Sequence, residues 1–162
     1  MDSKIMKRKM LSQYEWDFVV RRVPMPCVDV IVERESKILM GFRVIAPYRN
    51  VWALPGGVIR KNEHPRDTIR RVLAENNVSG TSGEIVGVFP MRFPSHQLKR
   101  YDISHCYLSR WMSGEPRPSR ELVRLDWFSP EELPKSTGLN YRRMIAQYCK
   151  YSVLSNHKRI SR

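Results

Sequence analysis

The stretch GGVIRKNEHPRDTIRRVLAENN, residues 56–77, decides the reading of this chain. It opens on a tight glycine turn at Gly56–Gly57 and passes through a charged loop into a helical pattern. Pro65 suits the first helical position, where its missing N–H costs nothing. Thr68, Ile69, Val72 and Leu73 recur at helical spacing, so the pattern predicts a helix over 65–77 with one apolar stripe against a sheet. Glu63 and Arg71 stand at the two ends of this loop and helix, and an arginine folded back onto a carboxylate braces such a turn. Arg71 and Glu75 lie one turn apart on a single face. A carboxylate beside an exposed glycine carbonyl suits a hard cation: Mg²⁺ takes oxygen ligands, keeps several waters and bridges to phosphates.

Upstream, 51–54 (VWAL) reads as a strand that runs into the breaker Pro55-Gly56-Gly57. Before it, 27–33 (CVDVIVE) and 37–43 (KILMGFR) read as a hairpin across the polar turn Arg34-Glu35-Ser36. Residues 11–22 carry Leu11, Tyr14, Phe18 and Val19 at helical spacing and are stopped by Pro24 and Pro26. Downstream, strand patterns occupy 84–91, 101–112 and 122–128. Ser129-Pro130-Glu131-Glu132 carries the signals of a helix start, with Ser129 as cap. A last helix is expected over about 138–152. Strands before, between and after two main helices predict an α/β fold with a mixed sheet between helices. The expected organisation is a basic extension with an amphipathic helix over 1–22, one domain over 23–152 and a basic tail over 153–162.

The 162 residues, 41% hydrophobic with four tryptophans, suit one globular domain. No apolar run approaches the roughly 18 residues of a membrane span. The basic N-terminus leads into Ser12, Gln13 and Glu15 rather than an apolar segment, so no export signal is expected. Three scattered cysteines fit neither a disulfide framework nor a zinc site. The expectation is a cytoplasmic protein with no membrane contact. Lys and Arg number 29 against 16 Asp and Glu, a net charge of +13 that steers polyanions such as nucleotides or RNA toward the chain.

The central stretch resembles the Nudix hydrolase signature G-x5-E-x7-R-E-U-x-E-E-x-G-U, where U is aliphatic. Gly57, Glu63, Arg71, Leu73 and Glu75 match it in spacing, and WALPGG is a typical lead-in. Val72 stands in place of the first glutamate of the RE pair, Asn76 in place of the second of the EE pair, and Val78 in place of the glycine. The N-terminal half, with Asp29 in VDVIVE and Arg43 after LMGF, is similar to the GDP-mannose mannosyl hydrolase branch. That branch tolerates a reduced acidic box, because it cleaves at the sugar carbon.

The resemblance implies an α/β/α Nudix sandwich and hydrolysis of a nucleoside diphosphate derivative, by preference a nucleotide sugar such as GDP-mannose. It implies a Mg²⁺ or Mn²⁺ cofactor held by the Gly57 carbonyl, Glu75, Asn76 and Glu121. Glu75 and Glu121 are the candidate catalytic carboxylates, and Glu63 with Arg71 is the structural brace. Asp29 and Arg43 are candidate substrate contacts, with Arg49, Arg60 and Arg92 as further phosphate ligands. Leu122 occupies the position of the branch's general-base histidine. A homodimer through 11–26 is expected. The loss of two box glutamates keeps a second reading open, a module that binds nucleotide or RNA without turnover.

Overall fold

A computed structural model describes residues 11–93 and 95–160. The run MPCVDVIVER is almost unbroken in apolar residues, the pattern of a strand covered on both faces. It forms β1 (Met25–Arg34), in which Val28, Val30, Ile31 and Val32 are fully buried. Around it the order is α1 (Gln13–Val20), β1, β2 (Lys37–Arg43), β3 (Val51–Ala53), β4 (Gly56–Val58), α2 (Pro65–Glu75), β5 (Ser79–Gly80), β6 (Glu84–Arg92), β7 (Tyr101–Ser113), β8 (Leu122–Phe128) and α3 (Leu139–Ile160).

The sheet is mixed. β1 lies parallel to β7 from Met25↔Asp102 to Glu33↔Arg110, and the other pairings are antiparallel. On its other edge β1 is shared: β2 pairs only with its end, at Glu33 and Arg34, while β4 pairs with Cys27, Val28 and Asp29. Gly56 and Gly57, expected only as part of the breaker Pro55-Gly56-Gly57, therefore begin a short strand. Glycine makes that pairing possible, since a Cβ on Gly56 would fall 2.3 Å from Asp29 Oδ1 and 2.8 Å from the Val28 carbonyl.

The helices cover opposite faces. Ile69 and Leu73 of α2 pack with Val28, Val30, Val32 and Leu39. Tyr141, Met144, Ile145 and Tyr148 of α3 pack with Ile31, Ile38, Met40 and Cys106 on the other side. Each such fully buried aliphatic side chain contributes about 1.5–3 kcal/mol. This is the expected α/β/α sandwich.

α1 is shorter than its pattern suggested. Ser12 caps it, and the Glu15 carboxylate accepts from the Ser12 backbone N–H at 2.8 Å. The expected stripe faces outward: Leu11, Tyr14 and Phe18 are exposed, while Val20 is buried beside Trp16, Met25, Cys27 and Leu98. No helix starts at Ser129. Glu132 N–H donates to the Ser129 carbonyl at 3.0 Å, which closes a turn, and Pro134 then denies a helix its next N–H. α3 runs on to Ile160, past the expected end. Among the described residues no helix is long and apolar enough to cross a membrane.

Candidate active site

The loop before α2 is pinned by its own charges. Glu63 accepts from Arg71 Nε at 2.9 Å and Nη2 at 3.0 Å, from Thr68 Oγ1 at 2.8 Å and from the Arg60 backbone N–H at 3.0 Å. Arg71 Nη2 also donates to the Val58 carbonyl at 3.0 Å, which ties the helix to β4. The Glu63 side chain is only 10% exposed, and the Arg71 guanidinium holds its carboxyl far below the usual range, at about 2. The structure thus brings Glu63 and Arg71 together as one brace.

The other box residues diverge from that brace. Glu75 is half exposed and meets Arg71 Nη1 at 3.3 Å. Val72 is buried, its Cγ2 3.3 Å from where a Cβ on Gly57 would lie. Asn76 caps α2 and is buried. Its Nδ2 donates to the Val72 carbonyl at 2.9 Å, and its Oδ1 has no partner.

On the α3 face of the sheet a cavity of about 270 Å³ opens, with Gly56, Gly57 and Val58 in its wall. Asp29, Arg43 and Glu121 line it, as do Arg100 and Asp102, whereas Glu75 and Asn76 do not. Arg43 Nη1 donates to Glu121 at 2.6 Å and Nη2 to the Ala46 carbonyl at 3.1 Å. Its Nε is buried without a partner. Asp29 is buried and accepts from the Ser104 hydroxyl. Burial, partly offset by Ser104 and Arg43, pushes its carboxyl up to about 6. Leu122 is buried against Gly41 and points into the core. Arg49, Arg60 and Arg92 are exposed and stand outside the cavity wall.

Two cavity residues escaped the sequence reading. Arg100 Nε donates to Asp102 Oδ1 at 2.7 Å, and both side chains are largely enclosed. The available signal was alternation: Asp102 falls in phase with Ser104, Cys106 and Leu108, the buried face of β7. An acid on such a face needs a partner and a reason.

A NUDIX domain family model matches residues 23–148, from the start of β1 into α3. The chain belongs to the NUDIX domain family. Among curated relatives, this Nudix chain is 34% identical over 92 residues to a low-salt glycan biosynthesis protein, Agl8, of Haloferax volcanii; the match takes in 56% of this chain and 59% of that protein. It is 24% identical over 149 residues to an ADP-ribose pyrophosphatase of Methanocaldococcus jannaschii, which takes in 91% of this chain and 84% of the relative. Among solved structures, a MutT NUDIX hydrolase from Burkholderia pseudomallei superposes with a TM-score of 0.71 at 23% identity, over 77% of this chain and 98% of that one. That likeness establishes the fold.

Proposed function

We propose that this Nudix domain hydrolyses a nucleoside diphosphate derivative, by preference a nucleotide sugar such as GDP-mannose, with Mg²⁺ or Mn²⁺ beside the diphosphate. The observation that carries the reading is the position of Gly57. It lines the cavity on one side and meets Val72 and Arg71 of α2 on the other. A ligand lying across Gly57 reaches both the enclosed cavity and the box helix, as a two-part substrate joined by a diphosphate requires. The glycan biosynthesis and ADP-ribose pyrophosphatase names of the relatives agree with that substrate class.

A divalent cation belongs to the family's chemistry, and the donor set here fits it only thinly. Among the described residues no three His, Cys, Asp or Glu side chains gather to hold one. Val72 offers no oxygen, and Asn76 is turned into its own helix. Glu75 would be the one carboxylate ligand, with the Gly57 carbonyl as its expected companion. When bound there, an ion would supply charge neutralisation for the diphosphate leaving group.

The chain's own residues do the rest. Arg43 holds a fixed positive charge in the cavity. A diphosphate that engages it competes with Glu121 for the guanidinium, and a released Glu121 carboxylate can accept a proton from the attacking water. Asp29, enclosed beside Gly56, accepts from substrate hydroxyl or amino groups. Exposed Arg49, Arg60 and Arg92 supply outer steering rather than cavity contacts. Leu11, Tyr14 and Phe18 give α1 an exposed apolar stripe, and this surface is our proposed homodimer contact.

The test is a screen of nucleotide sugars and dinucleotides with Mg²⁺ or Mn²⁺ in oxygen-18 water, read by mass. Label in the phosphate product reports attack at phosphorus, and label in the sugar reports attack at carbon. Absence of turnover across the screen, with nucleotide binding retained, would replace this reading by the second one. That second reading is a module that grips nucleotide or RNA without turnover. The burial of Val72 and Asn76 where the family signature has acids favours it.

A further inference from the structure

The Arg43 guanidinium is aimed by very few contacts. Its Nε is buried without a partner, so its plane is set by Nη1 on Glu121 and Nη2 on the Ala46 carbonyl. A guanidinium is a planar fork, and two such contacts fix both its position and its plane. The two contacts are not equal. The Glu121 side chain is 47% exposed, and a diphosphate that takes Nη1 displaces it. The Ala46 carbonyl lies on the other side of the fork and keeps Nη2 while the ligand binds. The orientation in which Arg43 meets the diphosphate is therefore set by where its loop holds Ala46.

That loop, residues 44–50 between β2 and β3, is held at few points. Asn50 N–H donates to the Arg43 carbonyl at 2.8 Å and Val44 N–H to the Glu121 carbonyl at 3.3 Å, which closes its base. Between those closures, among the described residues, 45–49 are hydrogen-bonded only through the Ala46 carbonyl and the Tyr48 hydroxyl. The hydroxyl accepts from the Leu139 N–H at 3.1 Å, one of the N–H groups that the first turn of α3 leaves without a helical partner. α3 is a firm anchor, because Tyr141, Met144 and Ile145 are packed into the core. Neighbouring rings guide Tyr48 to that point, with Phe93 edge-on at 5.4 Å and Tyr141 at 5.7 Å. Room for the ring exists because residue 138 is glycine: a Cβ there would fall 2.7 Å from Tyr48 Cδ1.

We infer that Tyr48 is a positioning residue for the diphosphate: by tying the 44–50 loop to the start of α3 it fixes the Ala46 carbonyl, and through it the guanidinium of Arg43. This rests on the nucleoside diphosphate reading above and deepens it. Tyr48 lines the cavity, yet its hydroxyl is engaged by α3 and takes no part in bond cleavage. Its effect is geometric. A guanidinium already held in its bound orientation is not ordered anew when the ligand arrives, and that saving appears as affinity.

The experiment is calorimetric titration of GDP and of ADP into wild type, Tyr48→Phe, Arg43→Lys and the double variant. Phenylalanine keeps the ring between Phe93 and Tyr141, and water can reach the N–H of exposed Leu139. The fold is therefore retained, and thermal melting is expected to move by about 4 °C or less. Tyr48→Phe is expected to weaken nucleotide binding about fivefold to tenfold, the effect of leaving one long side chain to be ordered on binding. Arg43→Lys keeps the charge but replaces the planar fork by a point charge that a carbonyl cannot orient. In that background Tyr48→Phe is expected to weaken binding by less than about twofold. A contact that only supports the fold would weaken binding equally in both backgrounds, and equal losses overturn the inference. Wild-type affinity in Tyr48→Phe overturns it as well. Both results leave the hydrolase reading standing. A folded wild type that binds neither nucleotide overturns the inference and the nucleoside diphosphate reading together.

Discussion

Glu63→Gln tests the brace that holds the loop before α2. In the folded chain the Glu63 carboxyl sits at about 2, against an ordinary value of 4.5, with the Arg71 hydrogen bonds as the leading cause. At roughly 1.4 kcal/mol per pH unit, that gap corresponds to about 3 kcal/mol of stabilisation. Little of it is lost to solvent screening, because the side chain is 10% exposed. The sign follows from a depressed carboxylate. The stabilisation is whole above the unfolded value near 4.5 and is lost as pH falls from there toward 2. Glutamine keeps the shape and an acceptor oxygen but leaves Arg71 with only the half-exposed Glu75 as an opposite charge. The variant should therefore be less stable by about 2–3 kcal/mol at pH 7, and the difference should shrink steadily below pH 4.5. Urea unfolding of both proteins at several pH values between 3 and 7 reads the difference directly. A gap below about 0.5 kcal/mol at pH 7, or one that does not change with pH, would refute the reasoning.

Asp29 carries the opposite sign. Its carboxyl is raised to about 6, so the folded state holds the proton longer, and stability should fall as pH rises from about 4 to about 6. Asp29→Asn should flatten the unfolding profile across that window, and an unchanged slope would count against the assignment. Gly56→Ala places a methyl 2.3 Å from Asp29 Oδ1 and should separate β4 from β1, costing about 2 kcal/mol or more in a denaturant melt. If a homodimer forms through the exposed apolar stripe of α1, Tyr14→Ser with Phe18→Ser should shift sedimentation from dimer to monomer. A wild type already monomeric at micromolar concentration would remove that contact from the account.

How much of the site could be read from the chain follows from sequence distance. Glu63, Arg71, Val72 and Glu75 sit within one loop and one helix, so their spacing carries their geometry, and the expected Glu63–Arg71 contact is present. Arg100 and Asp102 reach the cavity only because β7 lies parallel to β1 with Asp102 beside Met25. No local pattern encodes that register. The Arg43–Glu121 pair depends in the same way on the β2–β8 register, which sets Arg43 opposite Leu122. The helix expected at Ser129 does not form: the Ser129 hydroxyl donates to Glu131 instead of capping, and Pro134 follows too closely. The apolar stripe of α1 was legible, while its direction was not: Trp16 and Val20 proved the better anchors.

Metal-coupled nucleotide binding tests the central claim most directly. Glu75 is half exposed, off the cavity wall and weakly held by Arg71, so by itself it should hold Mg²⁺ poorly. A diphosphate across Gly57 would supply the missing oxygens. Calorimetric titration of GDP should therefore show affinity raised about tenfold or more by Mg²⁺ in wild type. Glu75→Gln should abolish that gain with the fold intact, and Glu121→Gln should reduce it by less. Equal GDP affinity with and without Mg²⁺ in wild type would contradict the account and leave a nucleotide-binding module in place of the hydrolase.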